Sequence, residues 1–339
     1  MVSVSPVLKN LWNRGADFLG CDIAIMGGAM TWVSERNLVA AISNAGGFGV
    51  IACGGMTPDL LAAEIDAALA LTKKPFGVNL ITMHPKLDEL IDVCLAKKVS
   101  HVVLAGGLPP APAMQKVKAG GAKLMCFAPA LVIAKKLIKG GADAIVIEGM
   151  EAGGHIGPVS TSVLAQEILP HVTDVPVFVA GGIGRGEAIV NYLQMGAAGV
   201  QLGTRFVCST ECVAHDNFKK AFIRAAARDA VPSVQFDPRF PVIPVRAIAN
   251  AASEKFMQFQ RETIAKVDAG ELEMKEAQLA IEHFWAGALR RAVVDGDTET
   301  GSLMAGQSVG MVTEIQPVGA ILAELVNQAE ATLATRKTA

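Results

Sequence analysis

The chain has 339 residues, enough for one large α/β barrel or two average domains, and is 51% hydrophobic and 18% charged, with 34 Gly and a single Tyr, Tyr192. This is too apolar for disorder, yet no apolar run reaches the ~18 residues of a membrane span. A balance of 30 Lys+Arg against 32 Asp+Glu, net charge −2, lacks the basic footprint of a nucleic-acid binder. The expected partners are therefore small molecules, with no nucleic acid and no membrane.

In residues 1–15, Lys9 and Arg14 interrupt short apolar pieces, so no continuous hydrophobic region of a signal peptide forms, and the cytoplasm is the expected compartment. Short apolar segments then recur at 22–26, 47–52, 75–80, 101–105, 123–127, 144–148, 175–180 and 199–202. Most are followed by Gly, and the intervals mostly hold one amphipathic helix, as at 57–71, 86–97 and 131–139. Continuous apolar strands imply burial on both faces, the mark of a parallel sheet covered by helices, and eight such units predict an α/β fold closed as a (β/α)8 TIM barrel. An open doubly wound sheet is the alternative, but Met26-Gly27-Gly28-Ala29-Met30 does not supply its Gly-x-Gly-x-x-Gly fingerprint.

After Cys212 the texture changes to helical patterns at 217–228, 248–269 and 273–291 around a Pro-rich turn at 231–244. This reads as a helical insertion, or lid, after strand eight. The barrel resumes at Gly301-Ser302-Leu303-Met304-Ala305-Gly306-Gln307 and finishes with a helix at 318–335. The expected organisation is a barrel core over 1–211, a helical insertion over 212–300 and a returning segment over 301–339. Six scattered Cys read as reduced, packed thiols, and Cys208-x-x-x-Cys212 lacks the companion ligands of a zinc site, so no metal is expected.

Function in such a barrel collects at the C-terminal strand ends. Ala180-Gly181-Gly182-Ile183-Gly184 after strand seven and Gly203-Thr204-Arg205 after strand eight occupy the usual phosphate positions, where Gly lets backbone N–H groups approach oxyanions. The plain alternative is a pair of tight βα turns. At the end of strand six, His155 sits among Gly149, Gly153, Gly154 and Gly157, with little local packing to bury it. Its ordinary pKa suits proton transfer; Glu148 or Glu151 is positioned to orient it, or equally to face solvent or hydrogen-bond a ligand. Gly27, Gly28, Met30 and Trp32 follow strand one, and Asn79 ends strand three, where it offers a donor and an acceptor to a heterocycle or caps the next helix. Ser160-Thr161-Ser162 reads as a helix N-cap and not as a nucleophile.

Six ordered motifs carry a resemblance. Glu148-Gly-Met-Glu-Ala-Gly-Gly-His-Ile-Gly157, Ala180-Gly-Gly-Ile183, Gly203-Thr-Arg-Phe206, Met304-Ala-Gly-Gln307, Ser43-Asn-Ala-Gly-Gly47 and Pro75-Phe-Gly-Val-Asn79 resemble the nitronate monooxygenase (2-nitropropane dioxygenase) superfamily. That group includes the FMN-dependent enoyl-acyl carrier protein reductase II branch, whose wording the 148–157 stretch follows most closely. The resemblance implies one non-covalent FMN at the mouth of the barrel. Its phosphate would rest on Gly181, Gly182, Gly203 and Thr204, and its ring near Gly27, Gly28, Met30, Asn79 and Glu148. Gly153 and Gly154 would belong to the same cradle, Gly306 and Gln307 would approach from the C-terminal segment, and His155 matches the active-site histidine. Family members often carry Gln before the first Gly pair; Met26 stands there in this chain, which leaves that flavin contact without its donor.

Two mechanisms share this site. In one, FMN oxidises an alkyl nitronate with O2 and His155 serves as acid/base or anion anchor; this reading asks only for a flavin cradle and a histidine, and leads narrowly. In the other, NADH or NADPH reduces FMN, which passes hydride to an enoyl thioester on a carrier protein. That reading also asks for a basic rim, and residues 201–250 hold seven basic against four acidic residues. A NAD(P)H:quinone reductase and a non-catalytic flavin-binding barrel complete the alternatives, and the region after Cys212 is compatible with a homodimer contact.

Overall fold

The computed structural model describes residues 4–240, 244–284 and 287–336. Eight parallel strands form one sheet: β1 (Ile25–Gly27), β2 (Val50–Ala52), β3 (Gly77–Ile81), β4 (His101–Ala105), β5 (Lys123–Phe127), β6 (Ala144–Glu148), β8 (Val177–Ala180) and β9 (Gly199–Leu202). Their order is β1-β9-β8-β6-β5-β4-β3-β2. Phe48, just before β2, bridges Met26 in parallel and its carbonyl accepts from Gly27 N at 2.8 Å, which closes the ring as the (β/α)8 reading predicts.

Alternation along the strands divides the core in two. Met26, Val50, Val103, Met125, Val146 and Phe178 pack together inside the barrel, while the outward residues join the helices in a larger apolar shell. The first helix, Pro6–Leu19, starts with Ser5 capping Leu8 N and closes the N-terminal end of the barrel. There the Phe18 carbonyl meets His101 Nε2 at 2.9 Å and the Lys123 ammonium, and burial pushes His101 down to about 4. With that end plugged, ligand access falls to the C-terminal mouth. No helix of the described residues is long and apolar enough to cross a membrane.

The region after Cys212 departs from the helix-only expectation. The first helix there is Asp216–Arg224, followed by a 3-10 turn at Ala227–Asp229, and the stretch predicted as helix from 248 instead opens with strand β11 (Val245–Ile248). The helix behind it begins at Ala251 because the Asn250 side chain caps Ser253 N at 3.2 Å and takes the chain out of helical geometry at that point. The stretch expected as one helix over 273–291 is two, Met274–His283 and Ala288–Val293, with Gly287 left-handed at φ 71° before the second. β11 pairs antiparallel with β10 (Ala230–Pro232), inside the predicted Pro-rich turn, and with the two-residue strand β7 (Gly154–His155). Residues 241–243 of that turn lie outside the described residues. Phe240, Phe256, Ala277 and Ile281 form a small apolar cluster of this region's own. The chain then returns through residues 301–307 to the final helix, Val318–Arg336.

Candidate active site

The mouth of the barrel is built from the last inward-facing residue of each strand. On β6, Ala144 and Val146 line the interior, so Glu148 points the same way at the top of the strand. Asn79 on β3 and Gln201 on β9 share the inward parity, and each is 8% exposed. None of these three side chains has a hydrogen-bond partner or ion pair among the described residues. Burial alone pushes the Glu148 carboxyl up to about 7, so it is close to half protonated at neutral pH. Glu148 is half-buried, and the unpartnered polar ends of all three side chains open into the mouth, where a polar ligand would meet them. Asn79 sits inside β3 and caps no helix. Gln201 was readable as the one polar residue in the Gly-Val-Gln-Leu run, a signal passed over in the sequence.

Glycines complete the mouth in two distinct ways. Gly28 faces inward; a Cβ there would reach only ordinary contact, 3.5 Å from the Leu202 carbonyl, so it leaves open space beside Gln201. Gly203 lies under Met30, whose sulfur would stand 3.3 Å from a Cβ. Gly27 faces the other way, with Ile42 Cδ1 2.5 Å from its absent Cβ, and serves strand-to-helix packing. The 181–184 loop has the shape that suits an anion: Gly181 and Gly182 are both left-handed, at φ 96° and 72°, and the N–H groups of Gly182, Ile183 and Gly184 find no partner among the described residues. A cleft of about 310 Å³ opens there, bordered by Gly181, Gly182, Ile183, Tyr192, Gln307 and Met311. Thr204 is buried; its hydroxyl accepts from Gly306 N at 3.0 Å and keeps its own O–H to donate.

The 149–155 loop carries His155 across the mouth. Glu151 is turned to a helix end: one carboxylate oxygen accepts from Thr161 N at 2.8 Å and Thr161 Oγ1 at 2.9 Å. It thereby caps the helix Thr161–Ile168, whose N-cap Ser160 makes no side-chain capping bond. The expectation that Glu148 or Glu151 orients His155 is thus corrected, since Glu148 faces the barrel interior and Glu151 a helix end. Gly153 is pressed against the returning segment, with Ala305 C and Gly306 N each 2.6 Å from its absent Cβ, and Gln307 N donates to the Glu151 carbonyl at 2.9 Å. Gly154 is left-handed at φ 78°. The His155 ring remains exposed at the rim without a partner among the described residues, and partial loss of hydration lowers its pKa, which favours the neutral imidazole.

Trp32 stands 51% exposed at the same rim, left-handed at φ 67°, with the Arg290 guanidinium 5.9 Å from its ring. Its turn is held by Ser34, which donates to the Gly28 carbonyl at 2.7 Å and accepts from Met30 N at 3.0 Å. Met83 and Leu108, on the loops after β3 and β4, are 72% and 50% exposed and extend an apolar rim on that side. Cys208 and Cys212 are buried free thiols, and no group of three or more His, Cys, Asp or Glu among the described residues could hold a metal ion. Chemically, the mouth offers an oxyanion cradle, a polar floor suited to a heterocycle, and a neutral histidine above.

Comparison with known proteins places this arrangement in context. The nitronate monooxygenase family profile matches residues 14–92 and 86–328. The chain is 30% identical to (3aS,4S,5R,7aS)-5-hydroxy-7a-methyl-1-oxo-octahydro-1H-indene-4-carboxyl-CoA dehydrogenase of Mycobacterium tuberculosis, over 91% of this chain and 94% of that one. It is 27% identical to a probable nitronate monooxygenase of Staphylococcus aureus, over 94% and 98%. Among solved structures, FabK from Thermotoga maritima superposes with a TM-score of 0.87 at 35% identity over 96% of this chain and 98% of that one. Nitroalkane oxidase from Streptomyces ansochromogenes gives 0.78 at 25% identity, over 94% and 99%.

Proposed function

The chain belongs to the nitronate monooxygenase family of oxidoreductases, and from that premise we propose that it is an FMN-dependent enzyme that passes a hydride from NADH or NADPH to the β-carbon of a 2-enoyl thioester, whose α-carbon takes a proton. The observation that carries this reading is the mouth itself: Asn79, Glu148 and Gln201 point inward without partners beside a loop of free N–H groups. These residues fit the cofactor. The N–H groups of Gly182, Ile183 and Gly184 would hold its phosphate, aided by Thr204 and Gly203, and Asn79, Glu148 and Gln201 would hydrogen-bond the polar edge of its ring. When bound, FMN supplies hydride transfer.

The rest falls to the chain. His155, kept neutral by its partial burial, presents one ring N–H to the thioester carbonyl oxygen and a lone pair on the other nitrogen. Glu148, poised near pH 7, can donate or accept at the floor of the mouth. Trp32, Met83 and Leu108 give an acyl chain an apolar path across the rim. The thioester is further supported by the likeness to FabK and by a relative named for a CoA ester, both at or above 30% identity.

Oxidation of a small alkyl nitronate by O2 is the second reading, favoured by the relative named as a probable nitronate monooxygenase and by the nitroalkane oxidase structure, at 27% and 25% identity. Anaerobic mixing separates the two. FMN-loaded protein is expected to bleach with NADH or NADPH and regain colour with a 2-enoyl-CoA. Bleaching by an alkyl nitronate but by neither nicotinamide overturns the thioester reading, and protein that takes up no FMN overturns both. His155→Ala should keep its FMN and lose about 10²- to 10⁴-fold in turnover.

A further inference from the structure

His155 has no side-chain partner among the described residues to aim it, so its position is set by the backbone that carries it. That backbone is β7, only Gly154 and His155, whose sheet neighbour among the described residues is β11: His155 pairs with Val245 and Gly154 with Arg246. Arg246 is also paired with Pro232 on the other side, so it is the residue of the middle strand that pairs with both neighbours. Its side chain is 2% exposed. Nε donates to the Met150 carbonyl at 2.9 Å and Nη1 to the Ala230 carbonyl at 2.5 Å.

We propose that Arg246 is the positioning residue for His155: one guanidinium ties the β6–β7 loop, at Met150, to β10, at Ala230, across the strand that holds the histidine. The inference rests on the reading of His155 as the proton-handling group. A buried cation with no carboxylate in hydrogen-bond contact is expensive, and packing alone would be served by an apolar side chain of the same length. What the guanidinium adds is a rigid fork that fixes two carbonyls at once, 96 and 16 residues away in sequence. Without it the loop remains tethered through Glu151 and Thr161 and through Gly153 against Gly306, so the fold survives, but the segment between Gly153 and Ile156 is held only by its backbone bonds to the β11 segment, the two-residue strand pairing and Ile156 N to the Pro244 carbonyl at 3.0 Å.

The test uses the full-length, FMN-loaded protein with Arg246→Lys, which keeps the charge but not the fork, and Arg246→Ala. The expected result is a kcat reduced roughly 10- to 100-fold, with KM and FMN dissociation within about twofold, and partial recovery of Arg246→Ala by added guanidinium. A second readout needs no turnover: NMR titration of ¹³C-labelled histidine, with His155→Gln assigning the signal. Burial is what lowers His155, with no charged side chain contributing. Loosening the loop should therefore move its pKa up toward 6.5 in both variants, and the charge-retaining Lys makes that a matter of position and not of charge.

Unchanged kcat and unchanged titration in both variants would overturn the proposal. So would equal losses in kcat, KM and FMN binding, which would make Arg246 a general prop of the fold. If His155→Ala keeps full turnover, the reading of His155 fails on its own, while the titration still reports whether Arg246 positions the ring. If Arg246→Ala does not fold, the Lys variant carries both measurements.

Discussion

Glu148 offers the most quantitative prediction. Its carboxyl rises from an ordinary 4.5 to about 7 because burial penalises the charged form and no partner compensates. An acid that holds its proton more tightly when folded makes stability fall as pH rises between those two values: no penalty below about 4.5, the full penalty above about 7. At 1.36 kcal/mol per pH unit, the ionised carboxylate costs the FMN-free protein about 3 kcal/mol at pH 8 and under ~1 kcal/mol at pH 5. Glu148→Gln removes the ionisation with little change in shape. Urea unfolding of the FMN-free protein should therefore show the variant more stable by about 3 kcal/mol at pH 8, roughly 5 °C in Tm for a chain this long, with the gap nearly closed at pH 5. A gap of the same size at both pH values, or a variant less stable at pH 8, would refute the claim that an unpartnered carboxylate sits at the floor of the mouth.

Two further perturbations probe the walls of the site. Gly306→Ala would place a Cβ 2.8 Å from the Glu151 carbonyl and 3.1 Å from Gly153 N, pushing the returning segment off the loop that carries His155. Overpacking of this kind costs about 1–3 kcal/mol, so a lower Tm and an FMN dissociation constant raised about tenfold are expected, and a variant matching the parent in both would show that the segments are not in contact. Ser34→Ala leaves the Gly28 carbonyl and Met30 N–H without their shared partner beneath the left-handed Trp32 turn. A loss of about 2 kcal/mol in urea unfolding is expected, and an unchanged midpoint would mean that the turn does not depend on that hydroxyl.

The barrel was legible because a strand buried on both faces has to be a continuous apolar run, and Gly terminates it where the chain turns into the next helix. Glu148 could be singled out for the same reason, as a charge ending such a run. What escaped was everything fixed by distant partners. Gly153 and Gly306 each lack a Cβ because the other's backbone occupies the space, across half the length of the chain, and nothing in either neighbourhood announces it. Glu151 was available as a partner for His155 until the fold brought Thr161, ten residues on, to its carboxylate. β7 has two residues, one of them Gly, so it has no alternation to read, and β11 was absorbed into the helix behind it because Ile248 continues that helix's apolar pattern.

The same chain shows how the irregular segments beyond β9 are held. Carbonyls in these segments and in the β6–β7 loop take donors from three buried cations: Arg205 to Met311, Lys219 to Ser209 and Cys212, and Arg246 to Met150 and Ala230. Each therefore works as a many-armed brace that adds to the sheet and helix contacts between the segments it joins. Arg205 also reaches Glu324 at 2.8 Å on the final helix, while its Nε is buried without a partner, a cost accepted in order to span the Met311 loop and that helix with one side chain. All three lie in the stretch that lines, crosses or braces the mouth. Most of the mouth is loop, and loops that carry chemistry must be both free of regular structure and fixed in place. Clamping carbonyls with buried guanidinium and ammonium groups meets both demands, and it explains why the basic excess in residues 201–250 includes three side chains turned inward and not presented to solvent.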